Sequence, residues 1–312
     1  MKNKIKVGIP RGLLYFKYNV LWTSFLEEMG CEIMISPESN KQILEKGAQH
    51  SIDESCLSAK IYIGHVDWLR DKVDYLFVPS IASYSKNTQT CSKFYAMPDI
   101  VRNTFRDIKV ITYKLDIANG KNERDGFIKF GMSINNNLLK VINAYKKAKK
   151  KQLEYEKDQH INQDKLLEHT SKLKILIVSH PYNIHDKIIG YPIKEYLNKL
   201  DVEVIYADKV NKPKSIEASR NISTDLYWTY NQEIIGALDL YKSKVDGAIF
   251  LTTFPCGPDS LVNDLCIRKV KEIPCAYILI DELQGEAGIQ TRLESFVDIV
   301  LTKKIKNCKK TD

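Results

Sequence analysis

The sequence predicts an α/β protein made of two related domains with mainly parallel sheets. Two observations carry this reading. Short apolar runs that read as strands alternate with segments of helical spacing, and the whole arrangement returns later in the chain in the same order. Between the two copies lies a long polar segment with apolar residues at helical spacing.

The first copy opens with "IKVGIP" (Ile5 to Pro10), a short buried strand. "LWTSFLEEMG" follows with Leu21, Phe25 and Leu26 on one helical face and Gly30 as a stop, and "CEIMISP" reads as a second strand. In the second copy "ILIVSHP", "PIKEYLNKLD" and "VEVIYAD" repeat that order. Pro10 matches Pro181 and Glu32 matches Glu203 at an offset of 171. "KVDYLFVPS" then matches "KVDGAIFLT", with Asp74 and Asp246 offset by 172. Each "KVD" closes a helix and opens a strand, and "IKVITYKLD" and "PCAYILIDE" supply further strands at comparable places. The expected domains are residues 1–135 and 173–312, joined by a helical linker over 136–172. The cleft between them is the expected ligand site.

The chain has 312 residues, enough for two domains with cores of their own. It passes from "MKNK" straight into the first strand with no secretory signal, and no apolar run nears the ~20 residues of a membrane helix. A cytoplasmic protein without membrane attachment is expected. The net charge of +8 is concentrated in Lys146, Lys147 and Lys149 to Lys151 and in a tail with Lys303, Lys304, Lys306, Lys309 and Lys310. No nucleic-acid motif accompanies them, so they read as a solvated helix face and a terminus.

Seven cysteines, an odd number at irregular spacing, do not suit a disulfide framework. Cys31, Cys266 and Cys275 read as small buried hydrophobes, and Cys308 lies in the lysine-rich tail. Cys56 in "HSIDESCLSAK", Cys91 in "SKNTQTCSKFYAMPD" and Cys256 in "FLTTFPCGPDSL" stand apart, the last two at related strand exits of the two copies. There is no CxxC, so spacing leaves open a three-thiolate metal site and a catalytic cysteine served by His65, His180 or His185. No GxxxxGK[ST] loop or GxGxxG is present, so any ATP hydrolysis belongs to a partner. Arg11-Gly12 reads as an anion contact or an ordinary turn. Asp281, Glu282 and Glu286 read as cleft residues or an acidic helix start. Tyr227 and Trp228 read as core aromatics.

"GIPRGLLYFKYNVLW", "DESCLSAKIYIGHVDWL", "VDYLFVPS", "TCSKFYAMPDIVR", "FPCGPDSLVNDL" and "IDELQGEAGIQTRLESFVDIV" together resemble the 2-hydroxyacyl-CoA dehydratase subunits and their CoA-substrate-specific enzyme activase-related relatives. The resemblance implies tandem Rossmann-like domains with an iron–sulfur cluster in the interdomain cleft. Carried over residue by residue, it assigns Cys56, Cys91 and Cys256 as ligands of a 4Fe–4S cluster. Three matching thiols favour one cubane, or a site completed by a partner chain, over the larger double-cubane cluster of some relatives. The family pattern has proline where Ser58 and Ser92 stand here, so loop rigidity differs. The resemblance implies low-potential electrons from an ATP-hydrolysing activator protein and a related dehydratase-type subunit as partner, in a homo- or heterodimer. The activity it implies is a dehydratase-like lyase or an ATP-coupled reductase component. The alternatives are a non-catalytic electron-transfer or scaffold subunit, and a cluster-free α/β binding protein.

Overall fold

Parallel strands cannot be joined by a tight turn, so each strand must be followed by a crossover that returns the chain to the same starting edge. The computed structural model, which describes residues 4–283 and 285–308, shows this pattern twice. One compact unit runs to Glu156 and includes the short segment Tyr227–Thr229; the other holds Lys157–Leu226 and the chain from Tyr230 onward.

The N-terminal unit contains β1 (Lys6–Ile9), α1 (Tyr15–Met29), β2 (Glu32–Ile35), α2 (Lys41–Gln49), α3 (Leu57–Leu69), β3 (Tyr75–Phe77), β4 (Ser80–Ser83), α4 (Ser92–Thr104), β5 (Val110–Ile111), β6 (Lys114–Asp116) and α5 (Glu123–Met132). Its parallel sheet has the order β2-β1-β3-β5, and β4-β6 form a separate parallel pair. The pair continues the β3–β5 register: Leu76 faces Val110 and Ser80 faces Lys114. Pro79, with no N–H to donate, lies at the break. An aromatic cluster fills the core, with Tyr113 and Phe127 at 4.4 Å and Phe25 and Phe127 at 5.0 Å between ring centres.

A 32-residue helix, α6 (Leu138–His169), begins in this unit and ends in the next; the division falls between Glu156 and Lys157. Two buried glutamines anchor its two parts. The Gln152 side chain accepts from the Leu21 amide and donates to the Lys17 carbonyl. That of Gln163 donates to the Tyr206 carbonyl and accepts from its amide, as a neighbouring strand would.

The C-terminal unit contains β7 (Leu173–Val178), α7 (Pro181–Ile184), α8 (Tyr191–Lys199), β8 (Val202–Tyr206), α9 (Lys212–Ala218), α10 (Thr229–Tyr241, its first residue in the other unit), β9 (Gly247–Thr253), α11 (Gly257–Lys269), β10 (Cys275–Ile280) and α12 (Glu286–Cys308). Its parallel sheet has the order β8-β7-β9-β10. Taken in chain order within each unit, both sheets read 2-1-3-4, so these are two Rossmann-like α/β units. All seven residues of β9 are buried, as befits an inner strand covered on both faces.

The repeated "KVD" has a physical role in both units. Asp74 Oδ2 accepts from the Lys6 amide at 2.8 Å, and Asp246 Oδ2 from the Lys174 amide at 2.8 Å. The aspartate amides return bonds to the carbonyls of the same lysines. Each carboxylate thus ties the start of one strand to the start of its neighbour at the amino edge.

No described helix is long and apolar enough to cross a membrane. Lys309 and Lys310 of the basic tail lie outside the described residues, as does the Cys308 side chain.

Helices α2 and α3 cross at a point that only glycine permits. A Cβ on Gly47 would stand 1.9 Å from the Lys60 carbonyl oxygen, and one on Gly64 would stand 1.9 Å from that of Ile43. Gly64→Ala is therefore expected to lower the unfolding free energy by about 1–3 kcal/mol, measured by urea denaturation; an unchanged midpoint would contradict this packing.

Candidate functional site

Because α3, α4 and α11 all lead into strands of a parallel sheet, they begin at its carboxyl edge, where ligands of open α/β sheets gather. Each is 13 residues long, and each is preceded by one of the three cysteines set apart in the sequence. Cys56, Cys91 and Cys256 occupy the N-cap positions of α3, α4 and α11. Their backbones are extended, with φ, ψ of −64°, 149°, of −57°, 137° and of −82°, 102°. None makes a side-chain capping bond, although asparagine does so at α2, α5 and α9 through Asn40, Asn122 and Asn211. Forgoing such a cap costs about 0.5–2 kcal/mol per helix. In exchange, a sulfur atom stands at the positive end of a helix, where its first free N–H groups favour negative charge.

All three thiols are partly buried. Cys31 and Cys266 are buried and Cys275 is partly buried; burial pushes the thiol pKa of Cys31 up, that of Cys266 to about 12 and that of Cys275 to about 11.

Cys56 and Cys91 belong to the N-terminal unit, and their loops are tied together by Lys93 Nζ donating to Ser55 Oγ at 3.1 Å. The approach to Cys91 is fixed by the Thr90 amide and hydroxyl, which donate to the carbonyls of Ala82 at 2.8 Å and Ile81 at 2.6 Å. Gln89 exchanges backbone bonds with Tyr227 and Thr229. Tyr227 and Trp228 therefore do not serve as the core aromatics expected from the sequence: Tyr227 is 48% exposed and Trp228 half-buried, because their backbone bridges to this loop.

Cys256 belongs to the C-terminal unit and follows a cis Phe254–Pro255 peptide bond. Its amide donates to the Thr253 carbonyl, and its carbonyl accepts from the Ser260 amide and hydroxyl. A Cβ on Gly257, the first residue of α11, would meet nothing within 4 Å. One turn on, buried Asp259 binds the surrounding elements. Its Oδ1 meets His180 Nε2 at 2.8 Å and accepts from Asn231 at 2.9 Å, while Oδ2 accepts from Thr252 at 3.1 Å. Burial alone would raise the Asp259 pKa; the His180 charge and these bonds hold it below the usual carboxylate range. His180 lies just beyond β7 and Thr252 is next to last in β9, so the network spans the point where the strand order reverses.

The three histidines considered as bases each have another partner. His65 is fully buried and bonded to Ser39 at 3.0 Å; burial, with the Arg11 charge adding to it, pulls its pKa down to about 3. His180 is held on Asp259, and His185 meets Asp208 at 2.8 Å. Arg11 serves a turn, its amide donating to Ser36 Oγ and its Nε to the Ser36 carbonyl. Asp281, Glu282 and Glu286 are exposed, the last opening α12, while Gln284 of that stretch lies outside the described residues. Among the described residues no group of three or more His, Cys, Asp or Glu side chains is gathered to hold a metal ion.

Residues 6–210 match the model of the CoA enzyme activase uncharacterised domain (DUF2229). The chain belongs to this family. The match contains Cys56 and Cys91, whereas Cys256 and Asp259 lie beyond it. No curated protein matches the sequence. Among solved structures the chain is similar to ZnuA (11% identity, 96% of this chain and 98% of that one, TM-score 0.26). Streptococcus pneumoniae AdcAII is similar at 9% identity, with 96% and 99% covered and a TM-score of 0.27. A glutamate racemase isoform from Bacillus anthracis is similar at 11% identity, with 95% and 83% covered and a TM-score of 0.23. Scores this low support no inference about function.

Two outcomes follow. Asp259→Ala leaves His180, Asn231 and Thr252 without their common acceptor and should cost about 3 kcal/mol in urea denaturation; a loss under about 1 kcal/mol would deny the network its role. His65 has a folded pKa below its unfolded value, so its contribution is present above about pH 6.5 and is lost as pH falls toward 3. Lowering the pH from 7.5 to 5.5 should remove about 1.4 kcal/mol through this residue, read as the difference between wild type and His65→Gln. Equal pH dependence in both proteins would refute it.

Proposed function

We propose that the protein is an iron–sulfur redox component of a CoA-enzyme activase-related system, with Cys56, Cys91 and Cys256 as ligands of a 4Fe–4S cluster. The observation that carries this reading is the shared placement of the three thiols. Each takes the N-cap of a crossover helix in place of a better capping residue, while Cys31, Cys266 and Cys275 do not. Membership of the activase-related family supports a role beside CoA-enzyme subunits.

The donor chemistry fits the group. Thiolates are the ordinary ligands of such clusters, and helix N-termini offset part of their mutual repulsion. The Lys93–Ser55 bond keeps two ligand loops together, and the Asp259 network fixes the helix that follows the third. When bound, the cluster supplies reversible one-electron chemistry at low potential. The chain's part is to present the three sulfurs deprotonated. The electron donor in this reading is an ATP-hydrolysing activator, and a dehydratase-type subunit is the second partner.

Anaerobic reconstitution with ferrous iron and sulfide tests the reading. The expected result is iron and acid-labile sulfide in equal amounts, with visible absorption that bleaches on reduction. Cys56→Ser, Cys91→Ser and Cys256→Ser should each lose most of it, while Cys266→Ser keeps it. Iron-free protein after reconstitution would instead favour a cluster-free binding protein, and a full cluster in Cys256→Ser would reject the ligand assignment. Reduction by an added activator only in the presence of ATP would support the partner.

A further inference from the structure

A second site lies within the C-terminal unit, on the side where β8 is the edge strand. Tyr206 ends β8, and Asp208 and Lys209 follow it; His185 comes from the end of α7, and Tyr191 and Lys194 from α8. All but Asp208, which stands behind His185, line an open-sided pocket of about 340 Å³ with an apolar floor of Leu166, Ile184 and Val204. That volume falls in the range of small-molecule sites.

The charges in the pocket are unevenly matched. Asp208 is committed to His185 at 2.8 Å. Lys194 and Lys209 have no hydrogen bond or ion pair to a carboxylate among the described residues. Their ammonium groups lie instead 5.7 Å from the Tyr191 ring centre and 4.6 Å from that of Tyr206. On the lining itself Glu203 is the carboxylate that faces Lys194 and Lys209, so the cations stand in excess there, with Asp208 and Glu195 acting on Tyr206 from outside the lining. Burial lowers the Lys209 pKa; Asp208 opposes this and the charge of Lys194 adds to it, so the two ammonium groups repel one another.

We propose that this pocket binds a small organic phosphate, its phosphoryl group paired with Lys194 and Lys209 and its ring against Tyr206 and the apolar floor. A dianion answers two neighbouring ammonium groups better than a carboxylate does. The volume and the apolar floor exceed what inorganic phosphate alone needs. The inference does not depend on the cluster reading, because the pocket contains none of the three cysteines.

Calorimetric titration of the full chain at low salt provides the test, with adenosine 5′-monophosphate and phenyl phosphate as probes and adenosine and inorganic phosphate as controls. At least one probe should bind saturably, and both controls at least tenfold more weakly. Lys194→Gln and Lys209→Gln keep the aliphatic stems and should each weaken the probe at least tenfold, with unchanged urea midpoints showing that both variants fold. Raising the salt should weaken binding as well. The proposal is overturned if neither probe saturates, if the double variant binds as tightly as wild type, or if inorganic phosphate binds as well as the probes.

Discussion

A parallel sheet sends all its strands out at one edge and starts the following helices there. That constraint places unpaired helix N–H groups, and hence positive potential, along the carboxyl edge of each unit. The amino edge is used differently. There Asp74 and Asp246 clamp Lys6 and Lys174 through paired backbone bonds, joining the start of the first strand to that of the third. One edge is thus spent on holding the sheet, which leaves the other to carry thiols, imidazoles and lysines.

The carboxyl edge shows where local stability is given up. Asparagine caps α2, α5 and α9, so the fold has ready access to the better solution. Cysteine at α3, α4 and α11 breaks that local rule three times, which is the behaviour expected of functional positions. Compensation lies close by. Crossing at Gly47 and Gly64 locks α3 to α2, Ser80 donates to the Tyr95 carbonyl in the first turns of α4, and Asp259 pins α11. The helices can therefore hold position without help from the cap.

Much of this was legible in the sequence, because periodicity and the "KVD" repeat report on backbone geometry that both units share. Cys56, Cys91 and Cys256 stood apart by context, the last two at related strand exits, but their common place at helix N-caps was not legible. Nor were other features. The split of "VDYLFVPS" into β3 and β4 follows from the missing N–H of Pro79 within an otherwise continuous register. The Asp259 network joins residues 180, 231, 252 and 259, whose only common property is the tertiary position that the sheet order gives them. Tyr227 and Trp228 looked like core residues by composition, but their backbone bonds to Gln89 decided their place.

The two units share a topology, yet their equivalent positions have diverged. Between the exits of the first and second strands, the N-terminal unit ties Arg11 to Ser36 with two hydrogen bonds, so the guanidinium is spent on a turn. The C-terminal unit joins His185 to Asp208 at the corresponding exits and leaves Lys194 and Lys209 beside the pair. At the exits of the first and third strands the contrast runs the same way. The N-terminal crevice is packed with Trp22, Tyr62, Phe94 and Met97, whereas its counterpart holds the buried His180–Asp259 pair. Apolar filling stiffens one unit around two of the thiols. The other unit keeps polar groups at both of its exits, and buried charge is retained only where hydrogen bonds repay its desolvation. Asp259, with three such bonds, meets that condition.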